Sequence, residues 1–348
     1  MPLRPVRTAA ISNLGCKVNQ SEMESAARLL RERGVRVVDG DAAAGADLVL
    51  VNTCTVTATA DQKSRQAVRR ARRANPDAEV VVTGCSVQVG RDAFVAADPG
   101  ARLVDNRAKD ALLEELERLV GPAASSEGAR SGDARVARAL PTLSGVEIEG
   151  IADERASVER TRAVVKVQDG CSFFCTYCII PAARGPERSL SPETVLQDVQ
   201  GALRAGHREI VLTGINIGTY DGGWSERGAR GAHRRSALTL GGLVARILAE
   251  TGVERIRLSS VEPQHVDEEL LAAWRAGAPR TLPHFHLPLQ SGDDGVLRRM
   301  GRRYDTARYA EVVDRVRAAI PGVAVHADVI VGFPTEMEAA FGRTVGFV

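Results

Sequence analysis

Residues 48–85 read LVLVNTCTVTATADQKSRQAVRRARRANPDAEVVVTGC, and this stretch decides the fold of the first half of the chain. Its two apolar runs, Leu48 to Asn52 and Val80 to Thr83, have the length and composition of buried strands. The amphipathic stretch between them is long enough for a helix that crosses from one strand to the next. This order of elements predicts parallel strands in a doubly wound α/β domain.

The same alternation covers an N-terminal domain expected over residues 1–121, with another apolar run at Ala9 to Leu14. Its first helix is predicted to begin at a capping box formed by Ser21 and Glu24 and to end at Gly34.

A linker is predicted over residues 122–154, which are rich in Ala, Ser, Gly and Arg without apolar periodicity. A second domain is expected over residues 155–348, where one helix should open with Ser191 as its cap and Pro192 at its first position. Its predicted strands are Ala163 to Val167, Ile210 to Thr213, Ile256 to Ser259, Phe285 to Leu289 and Val323 to Val331. Five parallel strands with crossover helices favour a partial (β/α) barrel.

The composition bounds the function only loosely. With 46 basic and 44 acidic residues, the net charge of +2 neither demands nor excludes a nucleic-acid partner. No run of about 18 apolar residues occurs, so we expect no membrane association and a cytoplasmic location. The six cysteines are therefore expected to be free thiols and not disulfides.

Three of these cysteines, Cys171, Cys175 and Cys178, lie in the segment DGCSFFCTYC directly after a predicted strand. Three thiolates on one loop can bind three irons of a 4Fe–4S cubane and leave the fourth iron open, whereas electron-transfer clusters usually have four cysteines. The alternatives are chance clustering and a zinc site, but zinc would need a fourth Cys or His, which this loop lacks. The spacing therefore favours a cluster with one open iron.

The other three cysteines, Cys16, Cys54 and Cys85, each follow the end of a predicted strand. Because the carboxyl ends of parallel strands meet along one crevice, these thiols are predicted to converge on one site. The alternative is three unrelated buried residues, since free cysteine is often found in cores. Strand-end placement beside Gly15 and Gly84 favours a second cluster.

The loop of Cys171, Cys175 and Cys178 resembles the defining loop of the radical S-adenosylmethionine (SAM) superfamily, which has an aromatic residue before its last cysteine. Tyr177 has that position here and is expected to contribute to the cofactor site. The resemblance implies that the open iron chelates the amino and carboxylate groups of SAM. An electron from the cluster then splits the sulfonium and yields a 5'-deoxyadenosyl radical.

Over nearly the whole chain the arrangement resembles the methylthiotransferases of this superfamily. The segments LGCKVNQSEMES, VNTCTVTATADQKSRQAVRRARR and CTYCIIPAARGPERS are most similar to members that act on N6-threonylcarbamoyladenosine of tRNA. Members that act on isopentenyladenosine typically read GCQMN at the first cysteine, and those that act on an aspartate of a ribosomal protein read GCPKN. Here Lys17, Val18 and Asn19 follow Cys16.

The resemblance implies that the radical removes hydrogen from C2 of adenosine 37 in the anticodon loop of tRNA, while the second 4Fe–4S cluster presents or donates the sulfur. One SAM supplies the methyl group, a second supplies the radical, and a flavodoxin or ferredoxin supplies electrons. Family members continue beyond the segment that ends here at Val348 into a further strand and an RNA-binding TRAM domain, so an incomplete barrel is expected. The alternatives are another methylthiotransferase substrate, namely isopentenyladenosine or the ribosomal aspartate, and an inactive iron–sulfur RNA-binding fragment.

Further residues of the second domain are expected, by the same resemblance, to line the SAM pocket. Gly214 would allow close approach, Glu262 could accept hydrogen bonds from a ribose, and Gln290 lies at another strand end. Each of these could instead serve only a turn or a cap. His284 and His286 flank a strand and are interpreted as structural.

Basic residues form the last set of candidates. Arg184 and Arg188 follow the cysteine loop and could hold phosphates or a substrate carboxylate. Residues 222–236 form a glycine- and arginine-rich segment, which is interpreted as a surface loop or an RNA contact. The helix after Cys54 is either a solvated basic face or a phosphate-binding one, and its cations are Lys63, Arg65, Arg69, Arg70, Arg72 and Arg73.

Overall fold

The structure is a computed structural model that describes residues 5–40, 44–106, 109–121, 161–223 and 238–348. The predicted linker and most of the glycine- and arginine-rich segment lie outside these residues. The chain divides into two compact units. The first comprises Met1–Pro141 and Ile179–Gly185, and the second comprises Thr142–Cys178 and Pro186–Val348.

A five-stranded parallel sheet forms the centre of the first unit, with the strand order β2-β1-β3-β4-β5. The strands are β1 Thr8–Asn13, β2 Arg36–Asp39, β3 Leu48–Thr53, β4 Glu79–Gly84 and β5 Arg102–Leu103. The helices that alternate with them are α1 Lys17–Glu32, α2 Ala58–Ala74, α3 Cys85–Val89, α4 Arg91–Ala97 and α5 Lys109–Val120. This arrangement confirms the predicted doubly wound α/β fold.

Both faces of this sheet are covered by helices. Leu30 of α1 and Leu116 of α5 pack on one face, and Val68 of α2 and Phe94 of α4 pack on the other. The central strand β3 is buried along its whole length, as expected for a strand covered on both sides.

The start of α1 differs from the prediction. The helix begins at Lys17 with Cys16 at its N-cap, and Ser21 lies inside it, so the proposed capping box is wrong. The reason is that β1 ends at Asn13 and the chain enters the helix after only three residues. The predicted stop at Gly34 is confirmed, since its φ of 77° is a left-handed conformation that favours glycine.

The second unit is also built on parallel strands, in a three-stranded sheet and a separate two-stranded one. The first sheet contains β6 Arg162–Lys166, β9 Glu209–Thr213 and β10 Arg255–Leu258, and the second contains β11 His284–His286 and β12 Ala324–His326. A bridge between Ser260 and His286 links their edges. The strand predicted over Val323 to Val331 is shorter in the structure, where β12 covers only Ala324–His326. An antiparallel pair, β7 Gln168–Asp169 with β8 Arg188–Ser189, was not predicted.

Helices accompany these strands in the expected alternation. They are α6 Ile180–Arg184, which belongs to the first unit, and then α7 Pro192–Arg204, α8 Leu240–Glu250, α9 Glu268–Ala276, α10 Asp294–Arg299, α11 Thr306–Ala319 and α12 Glu338–Phe347. The predicted cap of α7 is confirmed because the Ser191 side chain accepts a hydrogen bond from Thr194 N at 3.2 Å. In the part of the chain that the structure describes, no helix is long and apolar enough to cross a membrane.

Phe94 offers a direct test of the first unit's packing, because its side chain is fully buried while the adjacent Val95 is 46% exposed. We expect Phe94→Ala to lower the free energy of unfolding by about 3–5 kcal/mol through lost burial and a residual cavity. The matched Val95→Ala change should cost less than about 1 kcal/mol. Urea denaturation followed by circular dichroism measures both, and equal effects would contradict this packing.

Candidate functional site

Cys16, Cys54 and Cys85, called the first-unit cysteines below, stand at the carboxyl ends of neighbouring strands. Cys16 follows β1, Cys54 follows β3 directly and Cys85 follows β4 directly. Because β1, β3 and β4 are adjacent in the sheet, their ends lie side by side. Cys54 and Cys85 are buried and Cys16 is exposed, and all three are free thiols.

The electrostatics of these thiols show that they lie close together. Burial raises the pKa of the Cys54 thiol, and the charge of Cys16 raises it further. Burial also raises the pKa of Cys85, where Cys16 and Cys54 add to the shift and the Arg184 guanidinium opposes it. The structure thus brings three cysteines from distant parts of the sequence to one place.

Among the residues described, no group of three or more His, Cys, Asp and Glu side chains is arranged to hold a single metal ion. A 4Fe–4S cubane makes a different demand, because each cysteine binds a different iron and the sulfur atoms stand further apart. Three free thiols at adjacent strand ends can supply one ligand to each of three irons.

Buried asparagines surround the first-unit cysteines. Asn19 Oδ1 lies 3.4 Å from Cys16 Sγ, and Asn106 Nδ2 lies 3.5 Å from Cys85 Sγ. Asn19 Nδ2 also donates to Asn52 Oδ1 at 2.8 Å, and all three amides are less than 5% exposed. Our reading of the sequence missed these residues, although asparagine within VNTC and CKVN, next to buried apolar runs, is an available signal.

Arg184 occupies a place that the sequence did not suggest. Its guanidinium is fully buried in the first unit and donates to Asn19 Oδ1 at 2.6 Å and to Glu22 Oε1 at 3.1 Å. We expected Arg184 to contact phosphate or substrate, but its burial excludes an exposed contact of this kind. Arg188, the other candidate, lies 3.6 Å from the Asp169 carboxylate in the second unit.

Cys171, Cys175 and Cys178, called the loop cysteines below, lie on the segment after β7 and are half-buried. The loop is held from within by Cys178 N, which donates to the Cys175 carbonyl at 2.9 Å, and from outside by Thr176 N, which donates to the Met300 carbonyl at 3.0 Å.

Arg302 contacts this loop and was not singled out from the sequence. Its Nη1 lies 3.5 Å from Cys175 Sγ and 3.3 Å from the Tyr177 hydroxyl, and its other end pairs with Glu262. Its side chain is only 4% exposed. Burial raises the pKa of Tyr177 to about 12, which keeps the hydroxyl protonated at neutral pH.

The remaining pocket candidates are placed at strand ends of the second unit. A Cβ added at Gly214 would stand 2.7 Å from Ile217 and 2.9 Å from the Gln168 carbonyl, so only glycine fits there. Gln290 has a φ of 69° and is held through its backbone by Asp328 and Ile330. The Gln290 contacts form a parallel bridge with Val329, and Gly214 is closely packed by its neighbours, so the ligand role of both residues stays a prediction.

The predicted structural role of the histidines fits their surroundings. His286 Nδ1 lies 2.6 Å from Ser260 Oγ, and its Nε2 lies 3.4 Å from the Asp328 carboxylate. The ring of His284 packs at 4.8 Å from that of His326.

Two family models match the chain. Residues 8–105 match an uncharacterized protein family, UPF0004, and residues 165–348 match the radical SAM superfamily. Among solved structures, the radical SAM methyltransferase TsrM from Kitasatospora setae superposes with a TM-score of 0.63 at 16% identity, over 98% of this chain and 70% of that enzyme. At this identity the likeness shows the fold alone. The family model over residues 165–348, more than half of the chain, shows that this is a radical SAM enzyme.

Sequence relatives narrow this class. The threonylcarbamoyladenosine tRNA methylthiotransferase MtaB of Bacillus subtilis is 38% identical over 98% of this chain and 70% of its own length. MtaB of Aquifex aeolicus is 35% identical over 97% and 76%, and the tRNA-2-methylthio-N(6)-dimethylallyladenosine synthase of Anaeromyxobacter dehalogenans is 35% identical over 100% and 69%. The chain belongs to the radical SAM methylthiotransferases of the MtaB type.

Gly84, which positions Cys85, provides a test of the first-unit site. Its φ is 104°, and an added Cβ would overlap the Thr53 carbonyl oxygen and stand 2.6 Å from Thr53 N. We expect Gly84→Ala to destabilise the unit and to speed alkylation of the buried Cys85 thiol by iodoacetamide, because β3 or the cysteine must move. The matched control is Gly34→Ala, where φ is 77° but no atom lies within 4 Å.

The control should cost only the left-handed strain, about 1–2 kcal/mol, and should leave Cys85 protected. Equal protection of Cys85 in the two variants would show that Gly84 does not position the thiol.

Proposed function

We propose that this enzyme converts N6-threonylcarbamoyladenosine at position 37 of the tRNA anticodon loop to its 2-methylthio derivative. The observation that carries the proposal is the presence of two separate sets of three free cysteines, one in each unit, in a chain 38% identical to an MtaB enzyme. The sequence Lys17, Val18, Asn19 after Cys16 supports the threonylcarbamoyl substrate over the dimethylallyl one.

The loop cysteines are proposed to hold one 4Fe–4S cluster, and the first-unit cysteines a second. When bound, the cluster on the loop cysteines supplies the electron that cleaves SAM to a 5'-deoxyadenosyl radical. The protein's own contribution at that site is to fix the loop: Arg302 holds Cys175 and Tyr177 in place, and Glu262 balances its buried charge. Loss of either partner would leave the other buried and unpaired.

The SAM pocket is proposed to include Tyr177, Gly214, Glu262 and Gln290. Gly214 is included because of the resemblance; in the structure Ile217 and Gln168 fill the space that a side chain there would need. Glu262 is already bound to Arg302, so a ribose would share that carboxylate.

The proposed division of labour follows the domains expected from the sequence, with residues 1–121 for the second cluster, 122–154 as a linker and 155–348 for the radical reaction, except that Ile179–Gly185 belongs to the first unit. Electrons would come from a flavodoxin or ferredoxin, and the enzyme would act in the cytoplasm, where tRNA is modified.

A contact surface for tRNA is proposed on α2. Four cations on this helix are exposed, and we call them the α2 basic stripe: Lys63, Arg69, Arg70 and Arg73. Arg65 and Arg72 of the same helix are not included, since Arg65 pairs with Asp61 and Arg72 Nε bonds to Asp98 at 2.9 Å. A stripe beginning near Cys54 suits RNA phosphates close to the sulfur-donating site.

The roles of the two cysteine sets can be separated by single substitutions. Cys175→Ala should abolish 5'-deoxyadenosine formation from SAM, because the loop would lose one of its three cluster ligands. Cys54→Ala should retain that product while methylthio-adenosine formation is lost. Chromatography of the nucleosides and mass spectrometry of the tRNA digest measure both products in one reaction.

The substrate is tested in the same assay by offering tRNA that carries either threonylcarbamoyl or dimethylallyl adenosine. Thiolation of only the dimethylallyl form would overturn the proposed substrate and leave the enzyme class unchanged.

Wild-type product yield in Cys54→Ala would remove the second cluster from the mechanism.

The α2 basic stripe predicts a salt-dependent contribution to tRNA binding. We expect the double substitution Arg69→Ala with Arg73→Ala to weaken anticodon stem-loop binding and to reduce the slope of log Kd against log salt by about 2, roughly one per lost phosphate contact. The matched control removes Arg308 and Arg317, two cations of α11. An unchanged slope in the α2 variant would exclude the stripe from the RNA interface.

A further inference from the structure

We propose that Arg184 is a positioning residue of the first-unit cysteines and that its fixed positive charge sets the reduction potential of the cluster they hold. This inference rests on the second cluster of the proposed function. It concerns a residue that lies outside the cysteine motifs and contacts them only in three dimensions.

Arg184 lies in the interior of the first unit. Its side chain has no exposed surface and is among the largest fully buried side chains of the described residues. A guanidinium is rarely found in such a place, because removing its charge from water is costly unless other groups compensate. Its position therefore indicates that negative or strongly polar groups surround it.

A carboxylate, an amide oxygen and a thiol surround the Arg184 guanidinium. Arg184 donates to Glu22 Oε1 and to Asn19 Oδ1, and the same Asn19 oxygen lies 3.4 Å from Cys16 Sγ. Arg184 also bonds to the Cys85 thiol and acts electrostatically on Cys54. One cation thus reaches all three first-unit cysteines, two directly and one through an asparagine.

The site beside Arg184 must carry negative charge when it holds a cluster. Metal ligation requires thiolates, so three cysteines and their cluster together hold a net negative charge, which grows on reduction. The potentials of such clusters depend on nearby charge, hydrogen bonds to sulfur and exposure to solvent. A buried guanidinium in this position stabilises the reduced, more negative state.

Contacts within the first unit hold Arg184 in place. Arg184 ends α6, which belongs to the first unit although it follows the loop cysteines in sequence. Asn106 Nδ2 donates to the Ala183 carbonyl at 3.2 Å and stands 3.5 Å from Cys85 Sγ, so one amide fixes both the helix and a thiol. Gly185, with a φ of 76°, then turns the chain away.

The test uses the full-length chain with all three loop cysteines replaced by alanine, so that iron and sulfide can assemble only on the first-unit cysteines. In this parent, Arg184→Met removes the charge, Arg184→Lys retains it without the planar fork, and Glu22→Gln removes the carboxylate partner. Arg33→Met is the control, because Arg33 pairs with Glu117 in the same unit at 2.8 Å. Iron content and the midpoint potential by EPR-monitored redox titration are measured for each.

We expect Arg184→Met to shift the potential to more negative values and Glu22→Gln to shift it to more positive values, because the guanidinium then acts without its counter-charge. Arg184→Lys should stay close to the parent, and Arg33→Met should equal it. A purely structural role would not produce shifts of opposite sign.

Parent-like potentials in both Arg184→Met and Glu22→Gln, at full iron content, would overturn the inference. Should Arg184→Met fail to fold, a parent-like potential in Glu22→Gln alone would overturn it. A parent chain that binds no iron would instead refute the second cluster of the proposed function and this inference with it.

Discussion

Parallel strand pairing is the constraint on which the site of the first-unit cysteines depends. In a parallel sheet every strand ends on the same side, so residues that follow neighbouring strands become neighbours whatever their distance in sequence. Cys16, Cys54 and Cys85 follow β1, β3 and β4, which are adjacent. If one of these strands ran antiparallel, its cysteine would lie at the opposite edge and the set would be broken.

The buried polar groups around the first-unit cysteines lower the stability of the fold unless they are hydrogen-bonded. Asn19, Asn52 and Asn106 sit at the ends of a sheet whose interior is apolar, and each must satisfy its amide there. They do so through one another, through backbone carbonyls and through sulfur. A protein that needed only a stable sheet would place apolar residues at these positions, so the network is explained by what the thiols must hold.

The sequence predicted the alternation of strands and helices and the placement of Cys16, Cys54 and Cys85 at neighbouring strand ends, because strand periodicity is a local signal. It suggested Arg184 only as a contact for phosphate or substrate and did not single out Arg302. These residues act at cysteines 99 and 127 residues away, and nothing in the local sequence distinguishes a buried arginine from an exposed one. The start of α1 was misplaced for a related reason. Ser21 and Glu24 satisfy a local capping rule, but the short connection from β1 imposes an earlier start at Cys16.

The two units arrive at the same electrostatic solution with unrelated parts. In each, a buried arginine contacts a cysteine and is held by a glutamate: Arg184 by Glu22 in the first unit and Arg302 by Glu262 in the second. A buried ion pair contributes little to stability by itself, because desolvation offsets the attraction. Its repeated use beside thiols indicates that each cation serves the negative charge of the sulfur site. The glutamate holds the guanidinium in place and compensates its buried charge whether or not the thiols are ionised.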